Sequence, residues 1–392
     1  MPGNYLAVGY NNPARVEVWE RMQPTEPWQK RPNSTFEING GASSYKTHVS
    51  LSDDGNFLAV AAGVSQADNP NTAQGKVIVY QWFGPHKNEY KNVFELTPST
   101  YASFETSKDI SVVLSGDGER LAIGPSAGRV NVYKKQTTSE GIVSFQIEGT
   151  GGLPSALANN NQQTYSLSLA KAAEVVIGAA GNAASGDNGY VRVYNLVDGT
   201  TNRWEKRGDD LDKGNNQIYK SISVAISSLY DIAGYGASFK DATSGRITTQ
   251  YRSFTFDGNQ WNQYGQDLSG YGPNDKSETS ISFNTDGTIF AICEGGSEVI
   301  AINKYIAGSW RTVANVSAYY EDGEDESTPN NNRQSTYSVG TTISLNDFGN
   351  TVGIGSPYFD QTEPGFVRIA EKNATAPNRP ITPPSVGVGG GK

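Results

Sequence analysis

The feature that most constrains this chain is that it repeats itself. Residues 49–63 (VSLSDDGNFLAVAAG), 111–124 (SVVLSGDGERLAIG), 280–296 (SISFNTDGTIFAICEGG) and 342–357 (TISLNDFGNTVGIGSP) share one pattern. Ser alternates with apolar residues, a polar turn with Gly follows, and a short apolar run ends at small residues. Residues 165–180 and 221–236 fit the pattern with degraded turns, and the opening GNYLAVGY is its second half. Anchored at the turn, the units fall at Gly3, Gly55, Gly118, Ala172, Ser228, Gly287 and Gly349, a period of 52–63 residues. A fixed period of this length marks a supersecondary unit that buries its faces only against its neighbours.

Each unit continues into a second alternating segment, usually opened by Gly: 14–21 (ARVEVWER), 75–82 (GKVIVYQW), 128–133, 189–196 (GYVRVYNL), 245–253, 297–305 and 365–372 (GFVRIAEK). Period-2 alternation of Val, Ile and Tyr reads as a half-buried strand. A weaker fourth strand, often opened by Trp, follows in WEKRGDDL (204–211), WNQYGQDL (261–268) and WRTVANVS (310–317). The unit is therefore a four-stranded antiparallel meander, and the fold class is all-β: a propeller-like array of about seven such units. The composition agrees, with 44 Gly, 18 Pro and 21 Tyr in 392 residues and only 18% charged. Small residues closing the second strand (Ala61, Ala62 and Gly63; Gly124; Gly178, Ala179 and Ala180; Gly355) are placed near the axis, because Gly in a strand marks close backbone approach. The first unit lacks its opening strand and the last its closing one, so ring closure stays open, and two packed sheet domains are the alternative. Residues 1–372 form the repeat domain and 373–392 a Pro/Gly-rich tail. Met1 reads as a start placed on a trimmed form.

The string S-apolar-S-x-D-G-x-x-apolar-A-apolar-G, then G-x-V-x-V-Y, then W-x-x-x-G-x-D-L, resembles the FG-GAP-like or WD40-like repeats abundant in diatoms and related algae, over nearly the whole chain to about residue 372. In outline the chain is similar to the diatom pyrenoid shell proteins. That resemblance implies a plastid-stromal protein assembling into a sheet around the Rubisco compartment.

The residues themselves exclude several chemistries. A net charge of -9 argues against nucleic acid and anionic membranes as partners. The single cysteine, Cys293, permits no internal disulfide and reads as a buried small hydrophobe. His48 and His86 have no partner at a meaningful spacing and read as strand-edge or loop histidines. No nucleophile elbow is present. Asp53, Asp54, Asp117, Asp286 and Asp347 all lie in or beside the repeated turn, where Asp bonds its own backbone, so the turn explains them. The loops 68–75 and 185–189 lack the ligand ladder of a calcium site. Zinc ligands and phosphate loops are likewise missing. The expectation is no cofactor, no metal and no enzyme activity.

Two segments depart from the repeat. Residues 321–326 (EDGEDE) place Glu321, Asp322, Glu324, Asp325 and Glu326 in one block, read as a solvated loop or a contact for a basic surface. The tail carries Pro377, Pro380, Pro383 and Pro384 with Arg379 and no acid, an extended cationic arm on an acidic body. From these the expected function is a structural protein that self-assembles through open strand edges and its tail, with itself and other proteins as partners. A secreted glycan-binding or adhesion propeller using loop aromatic residues such as Trp82 and Tyr271 is the alternative.

Overall fold

A computed structural model describes residues 5–11, 14–23, 26–38, 47–63, 75–84, 87–97, 109–125, 129–149, 153, 165–170, 174–180, 189–197, 202–211, 217–229, 231–240, 247–270, 279–294, 299–317, 342–358 and 364–372. Seven antiparallel sheets follow one another as the blades of a propeller. The first blade is β1 (Tyr5–Asn11), β2 (Ala14–Glu20) and β3 (Gln29–Glu37). The second is β4 (Thr47–Leu51), β5 (Phe57–Ala62), β6 (Lys76–Phe83) and β7 (Glu89–Leu96), and the third β8 (Ile110–Leu114), β9 (Arg120–Pro125), β10 (Asn131–Thr137) and β11 (Val143–Ile147). The fourth is β12 (Tyr165–Leu169), β13 (Glu174–Ala180), β14 (Gly189–Val197) and β15 (Arg203–Lys206). The fifth is β16 (Gln217–Ile226), β17 (Ile232–Lys240), β18 (Ile247–Phe256) and β19 (Trp261–Gln263), with β20 (Leu268–Ser269) also on β18. The sixth is β21 (Thr279–Phe283), β22 (Ile289–Glu294), β23 (Val299–Ile306) and β24 (Ser309–Ser317), and the seventh β25 (Thr342–Leu345), β26 (Thr351–Tyr358) and β27 (Pro364–Glu371).

The first strand of each complete blade is the innermost, and successive inner strands touch around the ring. Here the alternating Ser finds its role. Ser50 Oγ accepts the N–H of Leu114 at 2.9 Å. Ser166 and Ser168 accept those of Val224 and Ile226, and Ser280 and Ser282 those of Ile343 and Leu345. Each hydroxyl caps an amide that the next blade's inner strand would otherwise bury unpaired. The polar turns stack the same way: Asp53 N–H donates to Gly116 O, Leu229 N–H to Thr285 O and Thr285 N–H to Asp347 O. In the fifth blade Ser227 N–H bonds Ile232 O, as Ser52 bonds Phe57 in the second, so Ser228 matches Asp53 and not the turn's Gly55.

The Trp motif is shared between neighbours. Trp204, Trp261 and Trp310 each donate the indole N–H to a carbonyl of the preceding blade, from Glu148, Arg207 and Tyr264 at 2.8, 2.6 and 2.8 Å. The residue after each acceptor is Gly149, Gly208 or Gly265, at φ +85, +71 and +78, and a Cβ there would lie within 3 Å of the indole. Only Gly meets both demands. The Asp of the motif turns back to its own blade, where Asp210 pairs with Arg192 and Asp267 with Arg252.

The small residues of the second strand lie one strand out from the axis. Ala61 and Ala62 are wholly buried, and a Cβ on Gly178 would meet Val224 and Ile222 of the next blade's inner strand. They are small because that strand packs on them. Among the described residues, the last and first blades meet in an ion pair between Arg21, after β2, and Glu371 of β27, and in Leu6 of β1 lying against Gly353 of β26.

Candidate functional site

Every one of the ten residues expected to make contacts (Glu321, Asp322, Glu324, Asp325, Glu326, Pro377, Arg379, Pro380, Pro383 and Pro384) lies outside the described residues, as do His86 and Tyr271. Both calcium-candidate loops do too, apart from Gly75 and Gly189. What the structure assembles instead are three features, two of which the sequence left apart.

The first is a histidine–carboxylate pair. His48 Nε2 lies 2.6 Å from Asp109 Oδ1, with the imidazole 31% exposed and Asp109 4%. This corrects the reading of His48 as unpartnered. Its partner is 61 residues away in sequence, close to one repeat period, at the same end of the next inner strand. His48 stands two residues before Ser50, where the fourth and sixth blades carry the hydroxyls of Ser166 and Ser280. A Ser-to-His departure at a repeated position was the signal available in the sequence. A neutral His48 that donates Nε2–H to Asp109 would leave its Nδ1 lone pair available as a base.

The second is Arg31, which no motif marked. Buried, it pairs with Glu20 at 2.9 Å and donates to Gly55 O and to the Tyr90 hydroxyl, both at 2.7 Å. Its guanidinium lies 4.0 Å from the Trp82 ring and 4.7 Å from Tyr5. Burial pushes the Tyr90 hydroxyl up to about 12, against the opposing pull of Arg31. Trp82 is therefore on β6, part of the joint between the first two blades, and not the loop aromatic that glycan stacking requires. Outer clefts of about 290 and 470 Å³ open between the fourth and fifth and the third and fourth blades, and their charges, such as Arg252 and Glu148, are paired within the protein.

The third is the pair of sheet edges at the ends of the chain. Among the described residues β27 has no outer neighbour and β1 no inner one, whereas blades two to six each have at least four strands. The turn aspartates fill the structural role expected of them. Asp54 accepts from Ser52 and the Asn56 amide, and Asp286 from the Thr288 hydroxyl and amide. Burial raises both carboxyls, but these hydrogen bonds outweigh it and hold them below the ordinary value. Cys293 is buried in the sixth-blade core, as expected.

No protein-family model matches the chain, and no curated protein matches it either. Solved structures do. The periplasmic gluconolactonase PpgL of Pseudomonas aeruginosa aligns at 13% identity over 94% of this chain and 92% of its own, with a TM-score of 0.61. The β-propeller domain of Myceliophteria thermophila Cps50 (Swd1) aligns at 12% identity over 94% of each chain, with a TM-score of 0.54. A Bacteroides fragilis protein provisionally named a 6-phosphogluconolactonase aligns at 13% identity over 96% of this chain and 93% of its own, with a TM-score of 0.54. These likenesses establish the class, a seven-bladed β-propeller, and nothing finer. The propeller part of the algal resemblance stands; nothing here supports its diatom or pyrenoid-shell part. The expectation that the chain is not an enzyme is corrected: it rested on propeller architecture without a catalytic motif, and the same architecture carries proteins named for lactonase activity.

Proposed function

We propose that this propeller is an interaction module that associates with copies of itself through the outer edge of its last blade. The observation that carries this is β27, whose outer hydrogen-bonding side has no neighbour among the described residues. An unpaired strand edge is a template for another strand. The side chains of Ile306 and Val313 on the sixth blade and Phe348 on the seventh are exposed and apolar. The acidic block Glu321, Asp322, Glu324, Asp325 and Glu326 and the arm holding Arg379, with prolines at 377, 380, 383 and 384, supply opposite charges for the contact. Light scattering on the full chain tests this. The expected result is an oligomer whose mass falls in high salt and on truncation after residue 376. A monodisperse monomer at high concentration overturns it.

A second reading is carried by His48 and Asp109. With Asp109 fixing the tautomer, His48 Nδ1 is set to take a proton from water as its oxygen adds to an activated carbonyl. When the ring C–O bond of a lactone breaks, the alkoxide takes that proton back and a hydroxy acid is released. Gluconolactone is the substrate to try, since the similar Pseudomonas protein is named for it. Hydrolysis lost at least 100-fold in His48→Ala supports this reading, and a rate no higher than buffer in the parent chain removes it.

A further inference from the structure

The junction of the fourth and fifth blades and that of the fifth and sixth carry the same Trp motif, but one residue of it differs. In the fifth blade Gln266 follows Gly265 and grips the next blade's tryptophan backbone twice. Its Nε2 donates to Trp310 O at 2.7 Å, and its Oε1 accepts the Trp310 N–H at 2.9 Å. The residue at that place in the fourth blade, after Gly208, is Asp209. A carboxylate has no N–H to give, so the bond to the tryptophan carbonyl has no counterpart there. The indoles differ accordingly. Trp310 is 3% exposed, whereas Trp261 is only half-buried. Beside Trp261 a cleft of about 290 Å³ opens, lined by Trp261, Phe254, Arg252 and Gln263 of the fifth blade and by Asp209 and Asp210 of the fourth.

The lining limits what the cleft can hold. Trp261 and Phe254, both half-buried, form an apolar wall. Around them stand planar polar groups whose hydrogen-bonding capacity is partly used. Arg252 gives Nε–H and one Nη2–H to Asp267 at 3.0 and 2.9 Å, and one Nη1–H to the Tyr235 hydroxyl at 3.4 Å. Each terminal nitrogen therefore keeps a second N–H with no acceptor among the described residues. Gln263 Nε2 donates to Asp267 at 2.9 Å, and its carbonyl oxygen has no donor among the described residues. Asp210 is neutralised by Arg192 and Lys206, while Asp209 is exposed. A cation in the cleft would meet the Arg252 guanidinium, and an anion the Asp209 carboxylate, in a partly desolvated setting where either repulsion is costly. An uncharged ligand that both donates and accepts meets neither, and the aromatic wall asks it for an apolar face. A pyranose has both: its axial C–H bonds make a flat face for the negative face of an aromatic ring, and its hydroxyls donate to carboxylate and accept from guanidinium and carboxamide.

We propose that the cleft between the fourth and fifth blades binds a neutral saccharide, with one sugar ring on Trp261 and Phe254 and its hydroxyls held by Asp209, Arg252 and Gln263. The indole N–H of Trp261 is tied to Arg207 O at 2.6 Å, so the platform is fixed before the ligand arrives and little ordering is left to be done on binding. The site shares no residue with β27 or with the His48–Asp109 pair, and it stands whether or not either of those readings does.

Isothermal titration calorimetry of the full chain tests the proposal, with cellohexaose, laminarihexaose, xylohexaose and mannohexaose set beside the charged hexamers of glucosamine and of galacturonic acid. The expected result is saturable binding of at least one neutral hexamer below about 10 mM, tighter than that of either charged one. Trp261→Ala is expected to weaken binding about 10-fold or more. Asp209→Gln copies Gln266 onto the fourth blade. It is expected to close the cleft, lowering affinity by a similar factor while Tm holds or rises, and it carries the test should Trp261→Ala fail to fold. His48→Ala is expected to bind as the parent chain does. A parent chain that binds none of the neutral hexamers overturns the proposal, as does preference for a charged hexamer or unchanged affinity in Asp209→Gln. Affinity lost in His48→Ala would place the saccharide at the histidine and overturn the cleft as its site.

Discussion

The junction of the fourth and fifth blades and that of the seventh and first are built from the same repeat, yet they are held differently. At the former, Ser166 and Ser168 cap the next inner strand, Trp261 seats on Gly208, and Arg207 bridges Glu174 and Asp231 across the blades. At the latter, the described contacts are the Arg21–Glu371 pair and Leu6 against Gly353, while Thr342 and Ser344 lie exposed. A repeat fold stabilises each unit through its neighbours. At the ends of the array, the equivalent hydroxyls of Thr342 and Ser344 make no hydrogen bond among the described residues. The lesson is that the repeat's conserved spacing serves the contact between blades more than the blade itself.

The comparison breaks most severely at the Trp seats. Trp310 is 3% exposed and holds Tyr264 O and Ser253 Oγ, so Trp310→Ala is expected to lose about 3–5 kcal/mol of stability by urea denaturation. Its seat gives the next effect. Gly265→Ala adds a Cβ 2.5 Å from the Trp310 ring at φ +78, and is expected to cost about 2–4 kcal/mol. Gly308→Ala has a similar φ of +86 in open space and should cost only about 1 kcal/mol, which separates backbone strain from the clash.

Smaller changes sharpen the contrast between junctions. Ser168→Ala leaves the Ile226 amide without its acceptor and is expected to cost about 1 kcal/mol in thermal or urea unfolding. Ser344→Ala, at an exposed hydroxyl of the seventh blade, should cost close to nothing in the same measurement. The smallest effect is in acid. Asp286 has a folded-state value held below its ordinary 3.8, so the unfolded chain takes up its proton first as pH falls. The stability its turn supplies is therefore complete above about pH 5 and declines as pH drops through and below 4. Asp286→Asn is expected to flatten that part of the Tm–pH curve, read by calorimetry across pH 2.5–6, and an unchanged acid slope would remove the turn hydrogen bonds as its cause.

Much of the fold is legible in the residues because the repeat writes it seven times over. The polar Gly turn, the alternating strands and the Trp-opened fourth strand each appear where the pattern places them. The two chain ends also show as incomplete units. His48 escaped because its partner lies in the next blade, and pairwise chemistry between repeats has no local spacing to read. Arg31 escaped for a related reason: its partners Glu20, Gly55 and Tyr90 come from two blades, on two strands and a turn. Trp82 was misread because an aromatic beside a loop looks the same whether it faces solvent or an arginine.

By itself, then, the sequence determined the unit and its number. Local rules suffice for that: period-2 burial, Gly at positive φ in the turn, and Asp bonded to the amide two residues on. Only the tertiary structure decided what the repeated side chains are for. The Ser hydroxyls serve the neighbouring strand, each Gly of the Trp motif makes room for the next blade's indole, and the small second-strand residues yield to the following inner strand. Those demands arise between blades, about one period apart in the chain, where proximity is set by closing the ring and not by the residues on either side.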